Sequence, residues 1–273
     1  QKATPLSDYI EQRLYNYNAK LFTQNRISKY HIGGSTYSHD EFKNLITQTN
    51  LSVASNGVLC RKDMTGVIPE ILVRWFDERK EMRKLASKYH NEGNHEMYEF
   101  YDLRQKVQKI LLNSIYGCLG LPVFRFYDKD NAEAVTLTGV DIIKTANKAI
   151  NQYYKKTLNN NDNKDYVIYV DTDSCFASAL PIIKHKMPDI DLNDEKQMTE
   201  AILTVCTEAQ KHVNDTFNVM ADRMFNVQKH RFDAKQEVIA KTSFWLAKKR
   251  YAQFIINKGG VVCDELEVKG IDV

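Results

Sequence analysis

Residues 166–177 read Tyr166-Val-Ile-Tyr-Val-Asp171-Thr-Asp173-Ser-Cys-Phe-Ala177, an apolar, β-prone run broken by two aspartates. Carboxylates among such neighbours are costly to desolvate unless a cation or a donor compensates them. Side chains of a strand alternate faces, so Asp171 and Asp173 can leave a tight turn on one side. Together they would offer oxygens to one hard cation, for which Mg²⁺ is the natural candidate. A plain polar turn would give the same string, because Asp favours turns. The rest of the chain decides between the two.

Upstream, apolar residues recur at helical spacing over 69–89 and again over 96–119, with Asn91-Glu-Gly-Asn94 between them, which predicts a helical hairpin. On the second helix Lys109, Asn113, Tyr116 and Gly117 form one continuous face. Val107, Ile110, Leu111, Ile115 and Cys118 populate the opposite one, so the pattern predicts an apolar side that is buried and a polar side that is used. A triphosphate is held by charge-assisted hydrogen bonds from Lys and Arg, and Lys109 suits that task. The first helix carries Arg79 and Arg83 at i, i+4 with Lys80 adjacent, and Trp75 lies one turn earlier. Solvated faces of ordinary amphipathic helices are the alternative.

Around this hairpin the remaining elements follow in α+β order. Residues 51–61 read as two short strands around Asn56-Gly57. Ahead of them Gly33-Gly34 mark a turn, and Ser38 with Glu41 fits a capping box opening a short helix. An aromatic-rich strand is expected over 123–127, helices over 134–158 and 196–224, and strands near 237–240, 250–257 and 267–271. The simplest architecture is a mixed sheet with helices on one face. Ala247-Lys-Lys-Arg-Tyr-Ala252 gathers three cations at the start of a strand, suited to a nucleic-acid backbone or to solvent.

Composition narrows the class but names no partner. The 273 residues are 43% hydrophobic, enough for a sizeable core, and the formal charge is only +3, so any nucleic-acid surface must come from local clustering. The five cysteines are scattered without a CxxC pair, which indicates neither zinc nor a disulfide framework and suits a reducing, intracellular setting. No stretch approaches the ~20 apolar residues that span a bilayer, so no membrane association is expected.

Three strings carry a resemblance. Tyr169-Val-Asp-Thr-Asp-Ser174 resembles the third polymerase motif of family B DNA polymerases, YxDTDS; reverse transcriptases carry adjacent aspartates instead, and Thr172 separates the two here. Lys109-Ile-Leu-Leu-Asn-Ser-Ile-Tyr-Gly117 resembles the second motif, KxxxNSxYG, in every fixed position. Lys248-Lys-Arg-Tyr251 is similar to the KKRY element, and the match is closest to the T-even-like phage type.

This resemblance implies template-directed nucleotidyl transfer from a dNTP to a primer 3′ hydroxyl with two Mg²⁺ ions. Asp173 would be shared by both ions, with Asp171 in support. Arg79 would bind the terminal phosphates, aided by Arg83 or Lys80, and Lys109 would contact the triphosphate. Asn113, Tyr116 and Gly117 would shape the pocket. Lys249 would lie near the primer terminus, with Lys248, Arg250 and Tyr251 around it and Lys269-Gly270 as a further primer contact. Glu237 sits where the family often keeps a third active-site acid.

By the same resemblance the right-hand polymerase palm comprises residues 1–65 and 122–273, with the fingers inserted at 66–121. The first motif, DxxSLYPS, does not occur in the sequence, nor does an exonuclease or a thumb. A larger or split polymerase is therefore expected, with a second chain as a partner beside primer-template DNA. The expected location is the host cytoplasm of a phage-encoded protein. The rival is a non-catalytic nucleic-acid-binding or scaffolding subunit.

Overall fold

Helix starts and turn chemistry place most of the elements. In the computed structural model residues 29–32, 35–160 and 163–271 are described, and the chain divides into two compact units, 10–138 and 139–273 with a short N-terminal piece. In the first unit β1 (Lys29–Ile32) pairs antiparallel with β2 (Ser35–Ser38). The Gly33-Gly34 turn expected there lies outside the described residues. Ser38 then caps α1 (His39–Gln48): its hydroxyl accepts from the Glu41 amide and its own amide donates to the Glu41 carboxylate, the capping box read from sequence.

The hairpin β3 (Leu51–Val53) and β4 (Leu59–Arg61) turns at Asn56-Gly57, where Gly57 takes φ 90°, a conformation that glycine adopts freely. Asn56 Nδ2 donates to the Asp130 carbonyl at 2.8 Å and the Ser55 amide to Thr138 Oγ1 at 3.2 Å, which seats the hairpin on the first turns of α4 (Lys129–Thr157).

Between them, α2 (Val67–Asn91) and α3 (His95–Leu119) form the helical hairpin, reversed at Gly93 with φ 71° and restarted by Asn94, whose side chain accepts from the Met97 amide. Tyr89 stacks on Tyr101 with centroids 5.6 Å apart, and Ala86 is buried.

The face of α3 that packs on α2 corrects the sequence expectation. Gln108 is the buried residue of α3, donating to the Trp75 carbonyl and to Glu78, while Val107 is 48% and Ile110 64% exposed. The packing stripe runs through 101, 105, 108, 112 and 115, about a quarter-turn from the polar face, at 100° per residue. Apolar periodicity found the helix and mistook which stripe its neighbour covers.

A second correction concerns 123–127. These residues form successive turns, with the Phe124 amide on the Leu121 carbonyl and the Tyr127 amide on the Phe124 carbonyl. Aromatic content favours strands only where a partner strand is present to pack against, and among the described residues none pairs with this run.

In the second unit the remainder of α4 packs against α5 (Leu180–Lys186) and α6 (Glu195–Phe225). One core cluster joins Tyr153, Tyr154, Tyr166, Ile182, Ile183, Ala201 and Val205; another joins Ala146, Ala149, Val213, Phe217, Met220 and Phe225. Each fully buried isoleucine there contributes roughly 1.5–3 kcal/mol by leaving water.

The strands do not make one mixed sheet. β5 (Val167–Asp171) and β6 (Ser174–Ala177) pair antiparallel, and β7 (Val238–Ala247), β8 (Arg250–Lys258) and β9 (Val261–Lys269) form an antiparallel meander. The α+β class stands, with the β content split among small antiparallel ladders. No helix among the described residues is long and apolar enough to cross a membrane.

Candidate functional site

Two hairpin tips meet in the second unit. The first is the β5–β6 turn, where Asp171 pairs with Ser174 and Thr172-Asp173 make the reversal. The Asp173 amide donates to the Asp171 carbonyl at 2.6 Å, a bond across one residue as in a γ-turn, and Thr172 in the middle takes φ 51°. A β-branched residue rarely adopts that conformation, and such strain costs about 1–3 kcal/mol, held by the surrounding structure. Ser174 Oγ donates to the same Asp171 carbonyl at 3.1 Å.

The second tip is Lys248-Lys249 between β7 and β8, with Lys249 at φ 61°. Lys249 Nζ donates to Asp171 Oδ1 at 2.7 Å and to Thr172 Oγ1 at 3.3 Å, and its backbone amide donates to Tyr169 Oη at 2.7 Å. The Asp171 side chain is only 18% exposed. The bond from Lys249 holds its carboxyl below the usual carboxylate range and holds the Lys249 ammonium above the usual lysine range.

Behind the two tips sits an aromatic cluster of Tyr169, Phe176, Trp245 and Tyr251. Trp245 stacks on Tyr169 at 4.6 Å between centroids and lies 4.7 Å from both Phe176 and Tyr251. Tyr251 is buried and faces Trp245 directly across β7–β8. Its ring also receives the Lys269 ammonium at 5.4 Å, and Lys269 pairs with Tyr251 in the β8–β9 register. Gly270, at φ 63°, lies so close to the Lys249 carbonyl that an added Cβ would sit 2.2 Å from that oxygen, which only glycine permits. Lys248 and Arg250 are exposed on either side.

Glu237 is not brought into this group. It precedes β7 and its carbonyl accepts from Gly259 at the opposite end of the meander. At ~3.3 Å per residue it lies on the order of 30 Å along the strand from the lysine turn. No group of three or more His, Cys, Asp or Glu side chains gathers as metal ligands among the described residues. Two carboxylates nonetheless fit one Mg²⁺, which is held by one or two protein oxygens and completed by waters and phosphates. Asp173 is exposed, and its carboxylate accepts no bond from the described residues, whereas one Asp171 oxygen is occupied by Lys249. Asp173 is thus the better cation ligand of the two.

In the first unit the helical hairpin assembles the second set. Arg79 Nε donates to the Gln105 carbonyl at 3.2 Å, one helical turn before Lys109, so Arg79 and Lys109 lie at neighbouring levels of the paired helices. Partial burial, then the charge of Arg83, moves the Arg79 guanidinium below its ordinary value. Lys109, Asn113, Tyr116 and Gly117 are all exposed on one face. Lys80 lies exposed beside Arg79 and lines a shallow groove with Arg74, Asp77, Glu78 and Glu81. Sequence reasoning missed Trp245 and the Tyr169 hydroxyl as parts of the site. The signal for Trp245 was an apolar Phe244-Trp-Leu246 run just before the basic turn, and Tyr169 opens the acidic motif itself.

Comparison with known proteins gives these groups a lineage. The model of DNA polymerase family B matches residues 34–273. The chain belongs to that family. It is 26% identical to the DNA-directed DNA polymerase of Escherichia phage RB69 over 80% of this chain and 30% of that protein. To the DNA-directed DNA polymerase of Enterobacteria phage T4 it is 31% identical over 53% of this chain and 17% of that one. A solved family B polymerase from Pyrobaculum calidifontis aligns over 85% of this chain and 26% of its own at 24% identity, with a TM-score of 0.43. The chain therefore spans under a third of the length of these family B relatives.

Proposed function

We propose that the chain carries the palm and fingers of a family B polymerase and takes part in template-directed DNA synthesis. The palm comprises residues 1–65 and 122–273, and the fingers residues 66–121. The observation that carries this reading is the bond from Lys249 to Asp171, which brings the KKRY turn onto the DTDS turn. In the reaction the primer 3′ oxygen attacks the α-phosphorus of a dNTP, the bond to the β-phosphate oxygen breaks, pyrophosphate leaves, and the hydroxyl proton passes to solvent. Two Mg²⁺ ions, held in part by Asp173 with Asp171 in support, would lower the charge of the attacking and leaving oxygens.

The protein groups bind and orient. Arg79, aided by Arg83, and Lys109 neutralise the triphosphate, while Asn113, Tyr116 and Gly117 shape the pocket for sugar and base. Lys249, with Lys248, Arg250, Tyr251 and the Lys269-Gly270 corner, receives the primer backbone. Glu237, remote from the acidic turn, takes no part in this reading. The phage relatives fit a protein acting in the host cytoplasm.

The test is primer extension with Mg²⁺ and dNTPs by the chain alone, by the chain with a segment supplying DxxSLYPS, and by Asp173→Asn. Extension by the supplemented chain that Asp173→Asn abolishes supports catalysis. No extension, with equal primer-template binding by parent and variant, overturns it. That outcome would favour the second reading, a non-catalytic nucleic-acid-binding role.

A further inference from the structure

The acidic turn owes its position to more than its own residues. Its hairpin is two short strands, too little to fix a strained turn by ladder bonds alone. What lies behind it is the indole of Trp245, stacked on Tyr169 at 24° between planes and packed against Phe176, the residues two before Asp171 and two after Ser174. Both rings therefore flank the DTDS turn, one from each strand, and Trp245 touches both. Tyr251, the second residue of the strand following the lysine turn, closes the cluster, 4.7 Å from Trp245 and 5.6 Å from Tyr169 between centroids. The indole is fastened in turn by its own N–H, which donates to Ser243 Oγ at 3.0 Å.

We propose that Trp245 is a positioning residue that locks the acidic turn to the lysine turn, acting through Tyr169. With the Tyr169 ring held flat against the indole, its hydroxyl stands where the Lys249 amide can donate to it. That bond orients Lys249, a residue in left-handed conformation, so that its ammonium reaches Asp171 and Thr172 rather than solvent. The chain of contact thus runs from Trp245 to Tyr169, to the Lys249 backbone, and to the carboxylate beside Asp173. Any apolar side chain could fill the space. Only a planar ring can stack on Tyr169 and so set the angle of its hydroxyl. The consequence for metal binding rests on the reading of Asp173 as a cation ligand; the lock itself does not.

The experiment compares the 273-residue chain with Trp245→Ala, Trp245→Leu and Trp245→Phe by amide hydrogen exchange and by Mn²⁺ titration calorimetry. The Lys249 amide is expected to exchange about tenfold or more faster in Trp245→Ala and Trp245→Leu and to stay within about threefold of the parent in Trp245→Phe. The Ile183 amide, bonded to Ala179 in the helical core, is the control and should not change. Should Trp245→Ala lose the control amide as well, Trp245→Leu decides, since it keeps apolar volume and loses the plane. Retained protection of Lys249 in Trp245→Leu overturns the lock.

In the calorimetric arm Mn²⁺ should bind about tenfold more weakly to Trp245→Leu, with Trp245→Phe restoring the parent affinity. Unchanged affinity in Trp245→Leu overturns the claim that the lock positions the acidic turn. If even the parent binds no Mn²⁺, the metal reading of Asp173 falls, and the exchange arm still judges the lock by itself.

Discussion

The helical hairpin and the acidic turn solve opposite problems. Between α2 and α3 a polar side chain, Gln108, is buried and bonded across the interface, while Leu103 and Ile110 are each 64% exposed. At the acidic turn charged groups sit near the surface, and a knot of four aromatic rings stands behind them. Helix geometry positions Lys109 and Asn113 by backbone spacing alone, so their neighbours are free to vary in polarity. A two-stranded hairpin has no such stiffness, and the rings supply it. In the first region the candidate site residues are held by secondary structure, in the second by tertiary packing.

That contrast is broken most sharply by variants that should cost activity without costing the fold. Asp173→Asn removes an exposed carboxylate, so thermal unfolding should be unchanged. Primer extension by the supplemented chain should fall by about a thousandfold or more, the scale of a lost metal ligand. A comparable loss of thermal stability would show that Asp173 is part of the packing. Lys109→Ala, on the stiff helix, should have the next largest effect. On the proposed role, loss of its charge-assisted bond to phosphate should raise KM for dNTP roughly 10- to 100-fold. An effect on kcat alone would place Lys109 at the reacting atoms instead.

What could be read from sequence divides along the same line. The capping box at Ser38 and Glu41, the Asn56-Gly57 hairpin and both long helices were legible because each is encoded by neighbours within a few residues. The acidic hairpin was legible as a motif, and its turn formed at the expected residues. The bond from Lys249 to Asp171 spans 78 positions, and no local pattern announces it. The misread face of α3 has a related cause. A hydrophobic stripe shows where water is disfavoured, not which partner is at hand, and the partner on α2 offers the Glu78 carboxylate and the Trp75 carbonyl as acceptors. The strand expected at 123–127 failed because β-propensity measures fit to a pleated surface that is absent there.

The packing difference itself can be measured on the hairpin. Gln108→Ala removes a buried side chain that packs between the helices and bonds to both Glu78 and the Trp75 carbonyl, and should cost about 1–3 kcal/mol in urea unfolding. Ile110→Ala, despite its larger apolar loss, should stay within ~0.5 kcal/mol because the side chain is already in water. The reverse ranking would mean that the apolar stripe of α3 is covered in solution.

The smallest expected effect concerns pH and tests how the acidic turn is held. Asp171 has a folded-state pKa below its unfolded one, so its contribution is present above the ordinary carboxylate range and is lost as pH falls through the depressed value. Lys249 is shifted upward, so its share is present below the ordinary lysine value and is lost as pH rises through the elevated one. The pair therefore supports the fold across neutral pH and fails at both extremes. Glu208, held low by Lys186 and then by Tyr153, adds a second acid-sensitive contact in the same unit. Lys249→Met should flatten the acid limb of a stability profile in part and leave the Glu208 share intact. Lys186→Met should do the converse. If Lys249→Met leaves the acid limb as steep as before, the ion pair is incidental to the position of Asp171, and the aromatic packing alone sets the turn.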